Sequence, residues 1–154
     1  MTSSNRPVSY PSSYIVTDSD PQLVLKIISP PPFEPLRSIP FTHAILQCMD
    51  EIVRDMRVHG GDGPIPPMGY TFRADDVSID IYLDGDRRDR FTFSVAATVL
   101  RGTWELLAQH GFYSVYLVIF LGSEAAENHI GEIIVLRPEP SGTVATAVPA
   151  ATDT

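Results

Sequence analysis

SVAATVLRGTWELLAQHGFYSVYLVIFL (94–121) decides the fold, because it joins a helix pattern to a strand pattern through a single glycine. Ala96, Val99, Leu100, Trp104 and Leu107 recur at three- and four-residue steps and make one apolar helical face. Beyond His110-Gly111 the period changes to two. Val115, Leu117, Ile119 and Leu121 fall on one side of an extended chain, and Tyr116, Val118 and Phe120 on the other. A strand that is apolar on both sides belongs in the middle of a sheet with both faces covered, or at a subunit interface.

The same arrangement occurs about fifty residues earlier. FTHAILQCMDEIVRDMRVHG (41–60) carries Ile45, Cys48, Met49, Ile52, Val53 and Met56 on one helical face and also ends in His-Gly. Laid over the second block, Ile45 meets Ala96, Cys48 meets Val99, Met49 meets Leu100, Val53 meets Trp104 and Met56 meets Leu107. An internal duplication would produce this match, and so would two unrelated amphipathic helices, which share spacing by necessity. Gly60 and Gly111 are predicted to take the left-handed conformation that closes a helix, with His59 and His110 near the last carbonyls as capping residues.

Around these blocks the chain reads as short strands and turns. A first strand is expected over 22–29, ended by Pro30, Pro31 and Pro32, whose missing amides make 30–40 a stiff connector. The run 60–67 is a turn, since it follows a helix, lacks a Lys-Ser or Lys-Thr ending and contains prolines where a phosphate loop needs backbone donors. Strands over 70–74 and 77–83 flank Asp75-Asp76 as a hairpin. In the second arm Val77, Ile79, Ile81 and Leu83 point one way while Ser78, Asp80 and Tyr82 face solvent, and a one-residue slip would bury Asp80. A last strand covers 129–136. The expected architecture is α+β: a mainly antiparallel sheet of about five strands with two helices on one face, in the order β-αββ-αββ.

Composition bounds the rest. Residues 1–13 and 138–154 are rich in Ser, Pro, Thr and Ala without periodicity and read as disordered tails around a single domain over 14–137. A formal charge of −8 disfavours nucleic acid and anionic membranes, both of which need clustered cations. The one basic cluster, Arg87, Arg88 and Arg90, is interleaved with Asp84, Asp86 and Asp89, so its field is locally cancelled. Those aspartates do not make a calcium loop, because the position of the bidentate glutamate is held by Val95. The single cysteine, Cys48, lies in an apolar helical stripe as an inert thiol. No signal-peptide pattern or membrane-spanning run is present, and an intracellular, cytoplasmic location is expected.

Chemistry-bearing motifs are sparse. His43, His59, His110 and His129 have no partner at zinc spacing, and His129 and Glu132, three apart on a strand, should point to opposite faces. No metal or cofactor is expected. For acid-base catalysis the candidates are Asp80 and His110, in a pocket between helices and sheet lined by Trp104, Tyr70, Phe72 and Tyr82.

The run 100–107, Leu-Arg-Gly-Thr-Trp-Glu-Leu-Leu, with Gly111-Phe112-Tyr113 and the Gly63-Pro64-Ile65-Pro66 turn, resembles small uncharacterised proteins of filamentous fungi over about 41–137. The resemblance implies a eukaryotic, intracellular source and brings no activity, cofactor or catalytic residue. Helices on one side of the sheet leave Tyr116, Val118 and Phe120, with Tyr82, on an uncovered face. The leading functional reading is therefore a non-catalytic interaction module that forms a homo-oligomer, a dimer first, through that face. The alternative is a cofactor-free isomerase or cyclase using the pocket. A third is an adaptor that docks a protein partner through Pro30–Pro35.

Overall fold

The computed structural model describes residues 10–28, 34–74 and 76–138. It is an α+β fold with the strands β1 (Ser13–Ile15), β2 (Leu23–Ile27), β3 (Tyr70–Ala74), β4 (Val77–Leu83), β5 (Val115–Leu121) and β6 (His129–Leu136), and the helices α1 (Ser38–His59) and α2 (Phe93–His110). The strands form one sheet in the order β1-β2-β5-β6-β4-β3, with every neighbouring pair antiparallel. Of the segments read as tails, 1–13 and 138–154, residues 1–9 and 139–154 lie outside the described residues, as do Pro30, Pro31 and Pro32.

The sheet thus has six strands where about five were expected, and the order is ββ-αββ-αββ. The added strand, β1, is three residues long, too short to show alternation, and begins at the last residue of the stretch read as a tail. Its register against β2 (Ser13↔Lys26, Tyr14↔Leu25, Ile15↔Val24) comes from ladder bonds, reinforced where the Tyr14 hydroxyl donates to Glu105 Oε1 at 3.1 Å. Glu105 also takes a hydrogen bond from Arg101, which reaches Thr17 O at 2.9 Å. This polar strap holds the edge strand to α2.

Both helices lie on one face. From the sheet, Leu23, Leu25, Ile79, Ile81, Leu117, Ile119, Ile133 and Val135 are buried against Ala44, Ile45, Cys48 and Ile52 of α1 and Ala96, Val99, Leu100 and Leu107 of α2. Of the helical positions that periodicity singles out, Ile45, Cys48, Ile52, Ala96, Val99, Leu100 and Leu107 are buried, whereas Met49, Met56 and Trp104 are half-buried and Val53 is exposed. Burial, with Glu51 adding to it, pushes the Cys48 thiol up to about 12, which leaves it an inert core group. The two αββ units meet through their second strands, β4 beside β6 and antiparallel, the pairing that a two-fold relation between the units would produce.

The helix ends differ from each other. Gly60 is left-handed (φ 96°, ψ 17°) and its amide closes α1 on Met56 O and Arg57 O, as expected. Gly111 has positive φ but extended ψ (124°, 145°), so α2 leaves directly for β5 instead of turning back. At the start of α2, Thr92 Oγ1 accepts from Val95 N at 3.3 Å, and Asp62 accepts from Ser94 N at 3.0 Å and Ser94 Oγ at 2.5 Å. The loop after α1 therefore caps α2.

Partial burial alone would raise the Asp62 pKa, but hydrogen bonds from the Ser94 side chain and backbone, from Gly63 N and from Thr92 outweigh it, and the carboxyl is held below its ordinary value. A depressed folded-state pKa gives stability that is present above the unfolded value, about 3.9, and lost as pH falls through the folded one. Asp62→Ala should therefore lower the melting temperature at neutral pH. The gap from the parent should close as the medium is acidified below about pH 3, read by thermal melts at several pH values.

Candidate functional site: the open face of the sheet

Every second residue of each strand points away from the helices, and register brings these residues into rows. Phe120 lies opposite Val24, which lies opposite Ile15. Val118 lies between Lys26 and Glu132, and Glu132 is opposite Tyr82. Tyr116 is opposite Ile134, which is opposite Asp80. The four residues expected at an interface, Tyr116, Val118, Phe120 and Tyr82, thus share one face, contributed by two strands, with β6 running between them. β5 itself is in the interior of the sheet, third from the β1 edge.

The centre of this face is apolar, and each charge around it is answered within the chain. Lys26 Nζ is 3.5 Å from Glu124 Oε1. Arg73 Nη1 donates to Ser78 Oγ at 2.6 Å and lies 3.8 Å from Asp80 Oδ1. The Tyr116 hydroxyl donates to Glu132 Oε1 at 2.7 Å, a bond that raises the Tyr116 pKa, with burial and the charge of Glu132 adding to it. Ser78 and Asp80 are correspondingly buried, at 5 % and 8 % exposure, although they keep the register expected of solvent-facing residues. Arg73 from β3 and the neighbouring strand side chains cover them on a face where water was expected to do so.

His129 and Glu132 were expected on opposite faces and instead share this one. Between Ile119↔Gly131 and Phe120↔His129 the ladder skips Ile130, which makes a β-bulge on β6. The extra residue sends Ile130 into the core, fully buried, and turns His129 outward. There His129 Nδ1 is 3.3 Å from Asp84 Oδ2, its Nε2 is 4.0 Å from Glu132 Oε2, and its ring is 5.8 Å from that of Phe120. Counting in twos along the strand cannot find this cluster.

The helical side offers a different feature. Between α1 and α2, Thr42, Ile45, Leu46, Met49 and Trp104 line a mostly apolar groove of about 360 Å3, with Arg101 and Glu105 at its rim. Trp104 Nε1 donates to Thr42 Oγ1 at 2.9 Å and ties the helices together. This groove is on the outside of the helix pair, not between helices and sheet. Of the aromatics expected to line a pocket, Tyr70 is buried and donates to Asp55 at 2.8 Å, while Tyr82 is across the sheet. The catalytic candidates are not brought together: Asp80 is on the open face, and His110 is exposed at the end of α2, its ring 5.9 Å from that of Tyr10. Among the described residues no group of three His, Cys, Asp or Glu is placed to hold a metal ion, and no helix is long and apolar enough to cross a membrane. No family model matches the chain, and no curated protein and no solved structure matches it.

Proposed function

We propose that this chain is a non-catalytic interaction module that pairs with a second copy of itself through the open face of the sheet. The observation that supports this reading is the position of β5: an interior strand whose Tyr116, Val118 and Phe120 point to the side that no helix covers. Tyr116, Val118 and Ile134 are half-buried and Ile15 is exposed, so they still offer apolar surface, whereas Phe120, expected at the interface, and Val24 are already buried within the chain, at 7 % and 4 % exposure. Around this surface Lys26 is answered by Glu124 and Arg73 by Asp80, and Glu132 accepts from the Tyr116 hydroxyl, so the face suits a second identical face. Two such sheets stack about 10 Å apart with their side chains interdigitated.

Six strands about 4.8 Å apart make a face broad enough for a second sheet to lie on, and because Val24, Ser78, Asp80 and Phe120 are already buried within the chain, the contact would fall on Tyr116, Val118, Ile134, Tyr82 and Ile15. A two-fold axis through the face would make the contact isologous, the commonest symmetry among oligomers. Opposing it is the repulsion of two copies at a formal −8 each. That repulsion is long-ranged and screened, whereas the apolar contact is not.

Sedimentation velocity should therefore show a dimer at micromolar concentration, and its dissociation constant should fall as ionic strength rises. A monomer at every concentration and salt level overturns the reading. A complex with a different protein and no self-association replaces the second copy by that partner.

A further inference from the structure

We propose that the free edge of β3 is a docking site for an extended, cation-bearing segment of another protein, which adds a seventh strand at the position that β2 holds in the other half of the fold.

The two αββ units carry the inference. They meet at β4 and β6, so β3 in one unit corresponds to β5 in the other. Beyond β5 the sheet continues into β2 and β1, whereas at β3 it stops. Among the described residues no backbone hydrogen bond reaches the outer side of β3. Its sequence, Tyr-Thr-Phe-Arg-Ala, has no proline or lysine to discourage pairing, and Arg73 is turned onto the open face by Ser78 and Asp80.

The helices repeat the comparison. In the match of the two helical blocks, Asp50, Glu51 and Arg54 correspond to Arg101, Gly102 and Glu105. On α2 these residues hold the added strands. A methyl group at Gly102 would fall on Val16 and 3.3 Å from Leu25, Arg101 donates to Thr17 O, and Glu105 accepts from the Tyr14 hydroxyl. On α1 the corresponding three, with Leu46 and with Phe72 of β3, line a groove of about 440 Å3. Among the described residues no strand fills it. Arg54 and Asp50 form the same i, i+4 ion pair as Arg101 and Glu105 with the charges exchanged, yet their side chains are 62 % and 78 % exposed where those of the α2 pair are 37 % and 23 %. Glu51 sets the chemistry of the occupant: where α2 has a glycine over β2, α1 has a half-buried carboxylate that, among the described residues, no salt bridge or hydrogen bond answers. Asp55, one turn on, already accepts from the Tyr70 hydroxyl. A strand laid antiparallel to β3 brings alternate side chains under α1. A Lys or Arg in that row meets Glu51 in a charge-assisted contact, and apolar residues beside it meet Leu46 and Phe72. Ladder hydrogen bonds supply affinity, and this row supplies selection against anionic strands.

The test is fluorescence polarisation of the full chain with a labelled, end-blocked peptide Thr-Val-Thr-Lys-Thr-Val-Thr, in which Val, Lys and Val share one side, and with the same peptide carrying Glu in place of Lys. The lysine peptide should bind at least about tenfold more tightly than the glutamate peptide. Glu51→Lys should reverse that preference, and the milder Glu51→Gln should bring the two peptides close together, which keeps the test if the first variant does not fold. In the parent, hydrogen exchange should slow on peptide binding at the amides of β3 and not at those of β1, the other edge. Equal binding of the two peptides, a preference unchanged in the Glu51 variants, or protection at β1 alone overturns the proposal. So does the absence of binding. Exchange of the β3 amides without peptide then names the other occupant: protection that grows with protein concentration assigns the edge to a second copy, and protection independent of it to residues 139–154 of the chain. Self-association through the open face leaves this edge uncovered, so sedimentation reads it separately from peptide binding.

Discussion

Val118→Asp should leave a folded monomer and weaken self-association at least about a hundredfold, close to 3 kcal/mol in binding free energy. Val118 is at the centre of the open face, with Lys26 opposite on one side and Glu132 on the other. In the monomer it is half-buried, so an aspartate there costs about 1 kcal/mol of strand preference, and repulsion from Glu132 offsets the attraction from Lys26. In a face-to-face dimer the same carboxylate would be buried among apolar side chains with no donor, where an unpaired charge costs several kcal/mol. Val58→Asp supplies the control: Val58 is 83 % exposed near the end of α1, on the far side of the molecule, and this change should leave the dimer intact. Sedimentation velocity reads the assembly and circular dichroism the fold. A dimeric Val118→Asp would place the contact elsewhere, and the groove beside Trp104 would then be the surface to mutate.

A large effect on stability is expected at Gly131→Ala. A methyl group at Gly131 would fall on the Tyr82 carbonyl oxygen and 2.7 Å from Phe91 Cε2. Neither neighbour can give way. The carbonyl belongs to β4 within the sheet, and Phe91 is fully buried beneath the turn that leads into α2. Overpacking of this kind typically costs about 1–3 kcal/mol, and with backbone as one of the obstacles the upper end is expected, seen as a lower urea midpoint at unchanged slope. Gly85→Ala makes the comparison. Nothing lies within 4 Å of a Cβ there and its φ is not positive, so the change should be within about 0.5 kcal/mol of neutral. Similar losses at both positions would mean that close approach at Gly131 does not constrain the sheet. The clash at Gly131 also bears on the open face, since the strand that Phe91 and Tyr82 hold in place is the one that bulges to expose His129.

Long periodic segments could be read directly. Both helices, the 77–83 strand and the 115–121 strand have apolar positions whose spacing is met by only one secondary structure, and most positions the period selects are buried, Val53 being an exception. Short or compromised segments could not. β1 is three residues held by ladder bonds and by Glu105, ninety-one positions from Tyr14. Ser78 and Asp80 hold their expected register yet are covered, because Arg73 arrives from a strand whose pairing no local pattern reveals.

The β6 bulge is the clearest case. In HIGEIIVL (129–136), counting in twos from Ile133 and Val135 assigns Gly131 and then His129 to the core. The folded sheet instead inserts Ile130, because burying an isoleucine is favourable and burying an imidazole without a partner is costly. That choice becomes available only when β5, Phe91 and the helices are present to define what is inside.

By itself, the order of residues determined an α+β chain with two helices on one side of an antiparallel sheet and a strand with apolar residues on both of its sides, because side-chain period is a local property of the backbone. Tertiary structure decided the sixth strand, the covering of Asp80, and the meeting of Asp84, His129 and Glu132 on the uncovered face. These depend on register between segments far apart in the chain, and register is settled by the burial of the whole sheet rather than by any single strand.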